Sequence, residues 1–261
     1  MNMKQSIYLI FIFFFLSSCN TSISDKSASK NDVVDAKGYY FEGDKKFKIY
    51  NGGIFRINEV EDFKNLFPQS TIDGVSNRIG GQIYQGLLKL NQRTLKVENC
   101  LAKSVVEENN GTLLTFTLND NVFFHDDPCF ENGIGRKFSA YDVKTCFDML
   151  CEFRSDNLLF ELFDGRVKGA REYFESTQNN AKLSEGVSGV KVLDSLTLSI
   201  ELMKPCSFFK KVLTHNGCWI FPIEAYEKYG ANMRALCVGT GPFVIDKIME
   251  GTQVRLVKNE K

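Results

Sequence analysis

Five consecutive residues, Gly239-Thr240-Gly241-Pro242-Phe243, restrict the backbone more than any side-chain pattern in the chain. Two glycines around one threonine remove Cβ atoms from a path that must pass close to its neighbours, and Pro242 then fixes φ. A corner of this kind joins two elements that meet closely. The alternation in Gln253-Val254-Arg255-Leu256-Val257 predicts a strand soon after it, and the chain ends at Lys261. The residues before the corner are therefore expected to form most of one lobe. The corner is expected to lead to a second lobe outside this chain.

The 261 residues suit one large domain or two small ones. Lys plus Arg and Asp plus Glu both total 32, so the formal charge is zero. That balance offers no electrostatic ground for binding nucleic acid or an anionic membrane surface. An apolar fraction of 43% supports a sizeable core, which should hold most of the 23 phenylalanines and leave a few for an apolar cleft.

Residues 1–18 have the pattern of a signal peptide: Lys4, then an apolar run from Ile7 to Leu16 too short to span a bilayer. The run ends in Leu16-Ser17-Ser18-Cys19, which resembles a bacterial lipoprotein cleavage box, so Cys19 is the expected lipidation site. Residues 19–45 then read as a lipidated cysteine and flexible tether, and the anchor places the protein in the cell envelope, facing the periplasm or exterior. Seven further cysteines follow. Their spacing contains no Cys-x-x-Cys and no zinc pattern, and most read as small buried apolar residues. Cys206 and Cys218 could bridge across an irregular segment.

Along the chain, Phe47 and Ile49 alternate with lysines and predict a short strand, and Ile54-Phe55-Arg56-Ile57 predicts a buried one. Ser76 to Leu90 has helical spacing, with Ile79, Ile83, Leu87 and Leu90 on one stripe and Tyr84 beside it. Gly80, Gly81 and Gly86 weaken that helix and allow close packing. Leu114, Phe116 and Leu118 alternate with threonines as a half-buried strand, and Val122 to Phe124 predicts another. His125-Asp126-Asp127-Pro128 closes it as a structural polar turn. Adjacent residues rarely converge on one metal ion, and the only other histidine is His215.

Ser139 with Asp142 is an N-cap pair that opens a helix through Val143, Phe147 and Leu150. A second helix is expected over 167–176. Val190 to Leu202 reads as a hairpin turning at Asp194-Ser195. Short helices follow near Phe208 and after Pro222, with Trp219 between them as core filling or as part of an aromatic cleft wall. Strands mixed with helices indicate an α/β or α+β fold around a mixed sheet. No P-loop, dinucleotide fingerprint, His-Glu-x-x-His or serine elbow is present, and no acid–base or nucleophile–base pair stands at useful spacing. The chain is not expected to be an enzyme or to need a cofactor.

Seven blocks in order carry a family resemblance: Ile83-Tyr84-Gln85-Gly86-Leu87-Leu88, Leu101-Ala102-Lys103-Ser104, Thr115 through Asp126, Phe138-Ser139-Ala140-Tyr141-Asp142-Val143, Gly189-Val190-Lys191-Val192, Pro222-Ile223-Glu224-Ala225-Tyr226 and Gly239 to Phe243. Together they resemble the N-terminal half of the extracellular solute-binding proteins of family 5, the oligopeptide- and dipeptide-binding components of ABC importers. The resemblance implies a type II periplasmic binding protein fold, whose first lobe with its extra subdomain would span residues 46–250. Residues 251–261 would begin the crossover to the second lobe. It also implies peptide in an interlobe cleft and ABC permease subunits as partners. The ligand-cleft residues it suggests are Asn58, Glu59, Phe67, Trp219, Gly239, Thr240 and Gly241. The family favours Leu-Asp-Pro where this chain has Leu66-Phe67-Pro68. That change keeps open a different solute, such as a nickel complex or an opine. A truncated or split product with a scaffold role is the other reading, motivated by the missing C-terminal lobe.

Overall fold

The computed structural model describes residues 39–42, 45–48 and 52–261. The signal segment and Cys19 lie outside them. The chain divides into two units, residues 1–57 and residues 58–261.

In the first unit β1 (Tyr39–Glu42) and β2 (Lys45–Lys48) form an antiparallel pair, Tyr39 opposite Lys48. The strand predicted around Phe47 is thus present, with a partner that the residues before it do not announce. The buried strand predicted at 54–57 is absent. Ile54, Phe55 and Ile57 are 78%, 88% and 64% exposed, and they pair with no strand among the described residues. An apolar run becomes a strand only where a neighbour takes up its amides and carbonyls, and a sequence pattern cannot supply that neighbour.

The second unit opens with α1 (Gly74–Ile83), whose N-cap Asp73 accepts the Ser76 amide at 2.9 Å. The apolar stripe predicts a helix to Leu90, but α1 stops at Ile83 and Tyr84 is extended. Beyond it lie β3 (Gln85–Gly86) and β4 (Leu88–Leu90). β4 pairs with β5 (Val97–Asn99). A long hairpin of β6 (Ala102–Glu108) and β7 (Leu113–Leu118) follows, then α2 (Ala140–Leu150) and α3 (Ala170–Gln178). The predicted hairpin is β8 (Val190–Asp194) and β9 (Thr197–Glu201). The short helix α4 (Phe209–Val212) leads to β10 (Trp219–Ile220) and α5 (Ile223–Tyr229). The chain closes with β11 (Phe243–Met249) and β12 (Gln253–Lys258).

β10 pairs with β3, placing Trp219 opposite Gly86, and this tertiary pairing ends the helical run that local spacing favours. A Cβ on Gly86 would lie 3.3 Å from the Cys218 carbonyl oxygen, so the close approach of the two backbones also favours glycine there.

The largest sheet has the order β6-β7-β9-β8. Every pairing among the described residues is antiparallel, where the element pattern predicts a mixed sheet. A tight turn sets the direction of the β6–β7 pair: Asn109, Asn110 and Gly111 all have positive φ between them, a geometry that reverses the chain without a crossover. On the inner face Leu114 and Phe116 pair with Ile200 and Leu198, Leu118 is buried in the same strand, and α2, with Val143, Phe147 and Leu150 buried, packs against β8.

The α2 capping box forms as the sequence implies. The Ser139 amide donates to Asp142 Oδ2 at 2.8 Å, and Arg136 ties the same carboxylate to Glu224 of α5. The predicted strand at 122–124 shrinks to one bridge, Phe123 with Lys137. All seven cysteines from Cys100 to Cys237 are free thiols, so Cys206 and Cys218 form no bridge; Cys146, Cys151, Cys218 and Cys237 are buried.

Phe116 is fully buried on the central strand of the sheet. Phe116→Ala is expected to cost about 3–5 kcal/mol through lost burial and an unfilled cavity, measured by urea unfolding. A change under about 1 kcal/mol would mean that β7 does not carry the core.

Candidate functional site

Of the candidate residues inferred from the sequence, Glu59, Trp219, Gly239 and Gly241 meet α1 or the point where the chain leaves it. At the middle of the helix, Arg78 reaches Glu59 through two hydrogen bonds, Nε to Oε1 at 2.7 Å and Nη2 to Oε2 at 2.5 Å. Those bonds hold the Glu59 carboxyl below its ordinary range. Asn58 is exposed just ahead of it. Further along the helix, Trp219 lies against Gly80 and Gly81, and a Cβ on Gly80 would come within 2.7 Å of the indole. The Trp219 ring also stacks on Tyr84, with centroids 6.1 Å apart at 18°. Tyr84 itself is buried, its hydroxyl without a hydrogen bond of normal length, and burial raises its pKa well above the ordinary value.

The glycine corner docks at the C-terminal end of α1. The Gly241 amide donates to the Ile83 carbonyl at 2.8 Å. A Cβ on Gly239 would stand 2.1 Å from that oxygen, and one on Gly241 would stand 2.6 Å from it. Both distances are far inside contact, so these two positions admit only glycine without movement of the helix end. Between them the Thr240 hydroxyl donates to Gln85 Oε1 at 3.0 Å.

His125 grips the corner from the opposite side of the sequence. Its amide donates to the Gly239 carbonyl at 2.8 Å, and its Nδ1 accepts the Gly239 amide at 3.4 Å. An accepting Nδ1 places the ring proton on Nε2, which donates to the Gly241 carbonyl at 2.8 Å. Burial lowers the His125 pKa, which favours this neutral form; its bond to the Gly241 carbonyl works the other way. The end of the chain supplies a third hold. The Asn259 amide donates to the Pro242 carbonyl at 2.8 Å, its side chain donates to the Gly241 carbonyl at 3.1 Å, and Lys261 pairs with Asp126. From the corner β11 and β12 leave as a two-stranded ribbon with Phe243 and Val257 partly exposed.

Phe67 stands apart from the other candidate residues. It is 3% exposed, with its ring centroid 5.1 Å from that of Phe221 and 5.6 Å from that of Tyr226. Its ring packs beneath the surface, among core aromatics. Asn216 braces the same loop, donating to the carbonyls of Pro68 at 2.9 Å and Thr71 at 2.8 Å. Sequence reading missed the reach of both His125 and Asn216. Each lies in a short polar turn, and spacing carries no signal of a bond to a segment more than a hundred residues away. Among the described residues no group of three or more His, Cys, Asp or Glu is placed to hold a metal ion. Gly239, Thr240 and Gly241 are buried and their polar groups are bonded within the protein, so the half-buried Trp219 and the exposed Asn58 and Glu59 are what this region presents outward.

Comparison with known proteins follows the same outline. A family model for bacterial extracellular solute-binding proteins, family 5 middle region, matches residues 96–261. The glutathione-binding protein GsiB of Salmonella paratyphi A (strain ATCC 9150 / SARB42) is 29% identical over 185 residues, covering 71% of this chain and 30% of that protein. Among solved structures, the periplasmic oligopeptide-binding protein OppAIV of Borrelia burgdorferi superposes with a TM-score of 0.67 at 26% identity, over 76% of this chain and 38% of that one. The substrate-binding domain of an oligopeptide ABC transporter from Bacillus anthracis gives 0.65 at 20% identity, over 78% and 37%. The chain thus spans about a third of the length of the relatives it matches, and what it shares with them is the architecture of one lobe.

Two outcomes test the corner. Gly239→Ala should destabilise by about 2 kcal/mol or more, since its Cβ meets backbone. Gly74→Ala, whose Cβ would have 3.5 Å to the nearest atom, should change stability by less than about 0.5 kcal/mol. Equal effects in thermal melts would contradict the close approach at Ile83. The second outcome concerns pH. A histidine whose folded pKa is depressed binds its proton more readily when unfolded, so stability rises with pH across that interval. The His125 contribution should be intact above about pH 6.5 and fall away as pH drops below it. His215 is shifted the same way by burial and adds to the trend. His125→Gln should melt lower than wild type at pH 7.5 and lose less between pH 7.5 and pH 5; an unchanged acid dependence would exclude His125 as its source.

Proposed function

Because this chain belongs to the bacterial extracellular solute-binding proteins of family 5, we propose that it forms one wall of a peptide-receiving cleft in an ABC importer. Glu59, held by Arg78 at mid-helix, with Asn58 before it, Trp219 over the helix glycines and Gly239, Thr240 and Gly241 at its exit make up that wall, and Phe67 supports it from within. The observation that carries the reading is their convergence on one ten-residue helix, although they come from parts of the chain far apart in sequence. A short peptide brings apolar side chains together with amides and carbonyls that must find partners when buried. Aromatic surface beside fixed polar groups meets both needs. The relatives named for glutathione bind what is chemically a tripeptide, which supports short peptides as the ligand class.

In this reading residues 1–18 are removed and acyl chains on Cys19 hold the protein at the membrane, outside the cytoplasm. A permease subunit then senses whether the cleft is open or closed, because ligand shifts the balance between two arrangements of the lobes. The family binds its solutes without catalysis, so the outcome of binding is transfer.

Calorimetric titration of the chain with glutathione and with a pool of tri- to pentapeptides tests the proposal. One wall supplies only part of the contacts, so a Kd weaker than about 100 μM is expected. Binding tighter than about 1 μM would show that a second wall is not needed, and no heat at about 20 mM peptide would remove peptides as the ligand class.

A further inference from the structure

Trp219 contributes to more than the stack on Tyr84. It also lines a groove of about 400 Å³, together with Leu90, Leu162 and Phe208 as apolar walls and Lys211 and His215 as polar ones. That volume lies at the small end of ligand pockets, which run from about 300 to 1,000 Å³, and suits one residue rather than a whole peptide. Phe208 is 54% exposed, a large aromatic surface left open beside the indole.

The polar side of the groove is one-signed. None of its lining residues is acidic. Lys210 is neutralised by Glu107, whereas Lys211 has no carboxylate partner among the described residues. The Arg166 guanidinium adds positive charge 5.7 Å from the Phe208 ring centroid. His215 Nδ1 accepts the Gly217 amide at 3.3 Å, so the ring proton sits on Nε2 and remains available to donate. Asn216, by contrast, is fully engaged: its Nδ2 bonds two carbonyls and its Oδ1 accepts from Asn77 at 3.1 Å. The donors facing the groove include the Lys211 ammonium and the His215 imidazole N–H, beside the exposed Phe208 ring and the half-buried Trp219 indole. This combination matches a carboxylate attached to an apolar body.

We propose that this groove takes the C-terminal residue of a short peptide with a large apolar side chain. The side chain lies against Trp219 and Phe208, and the terminal carboxylate faces Lys211 and His215. The proposal rests on the peptide-receiving reading above and narrows it to a ligand class with a defined end.

Trp219 is the single tryptophan of the chain, so its emission reports directly on the groove. The chain is titrated with Gly-Gly-Phe, with its C-terminal amide, with Gly-Gly-Ala and with hexanoate. The free acid Gly-Gly-Phe is expected to perturb the emission with a Kd about tenfold lower than that of the amide, the value of one charge-assisted contact. Gly-Gly-Ala should bind more weakly still. Lys211→Gln, a surface change that should leave the melting temperature unaltered, should erase the difference between acid and amide. Phe208→Ala should weaken acid and amide alike. Equal affinity for acid and amide, or a difference that survives Lys211→Gln, would overturn the assignment. Hexanoate binding as tightly as the tripeptide would overturn the peptide end as occupant. Peptide binding seen by calorimetry without acid–amide discrimination would remove this groove alone and leave the cleft reading standing. If no peptide form bound by either method, both would fall.

Discussion

The contact between the Ile83 carbonyl and the Gly239–Gly241 backbone is the constraint on which the rest of the second unit depends. A helix must end somewhere, and its last carbonyls need donors. Here one of them is satisfied by the Gly241 amide, which can approach only because two successive odd-numbered positions lack Cβ atoms. With the corner seated on the end of α1, the direction in which β11 departs is set. So is the position of Thr240 beside Gln85, and through Gln85 the pairing of β3 with β10 that brings Trp219 over the helix. One carbonyl oxygen thus links the aromatic wall, the corner and the terminal ribbon.

Around this contact the structure spends polar groups on position. His125 bonds three main-chain atoms of the corner, and Asn216 bonds two carbonyls of the 65–71 loop and one side chain. Arg136 joins the first turn of α2 to α5 while lying 5.2 Å from the Phe124 ring centroid. Each network replaces water for groups that would otherwise be buried unpaired, and each holds together segments that are distant in sequence. The effect is to fix the relative positions of these segments.

Where the sequence was legible, the determining physics was local. The capping pair Ser139 and Asp142, the alternation of Leu114, Phe116 and Leu118, and the β8–β9 hairpin, whose turn falls at Ser195-Leu196, one residue beyond the predicted Asp194-Ser195, each rest on neighbours within a few residues. The failures share a cause as well. Helical spacing continued past Ile83, but the backbone of β10 claimed Gln85 and Gly86 for a strand. Ile54 to Ile57 had a strand's composition and found no partner among the described residues. Phe67, next to a proline in a segment suited to ligand contact, turned inward to Phe221 and Tyr226.

By itself the sequence determined the fold family and the need for glycine at 239 and 241, because both are written in residue identity and order. It also determined which residues of the central hairpins face inward, since a period of two leaves no choice once one face is apolar. Only the tertiary structure decided why those glycines are required, which is the Ile83 carbonyl, and what grips them, which is His125. It decided too that Trp219 belongs at once to the α1 surface and to a groove that Leu90, Phe208 and Lys211 line with it. Those decisions depend on distances between segments far apart along the chain, and such distances are fixed by packing of the whole unit and by no local pattern.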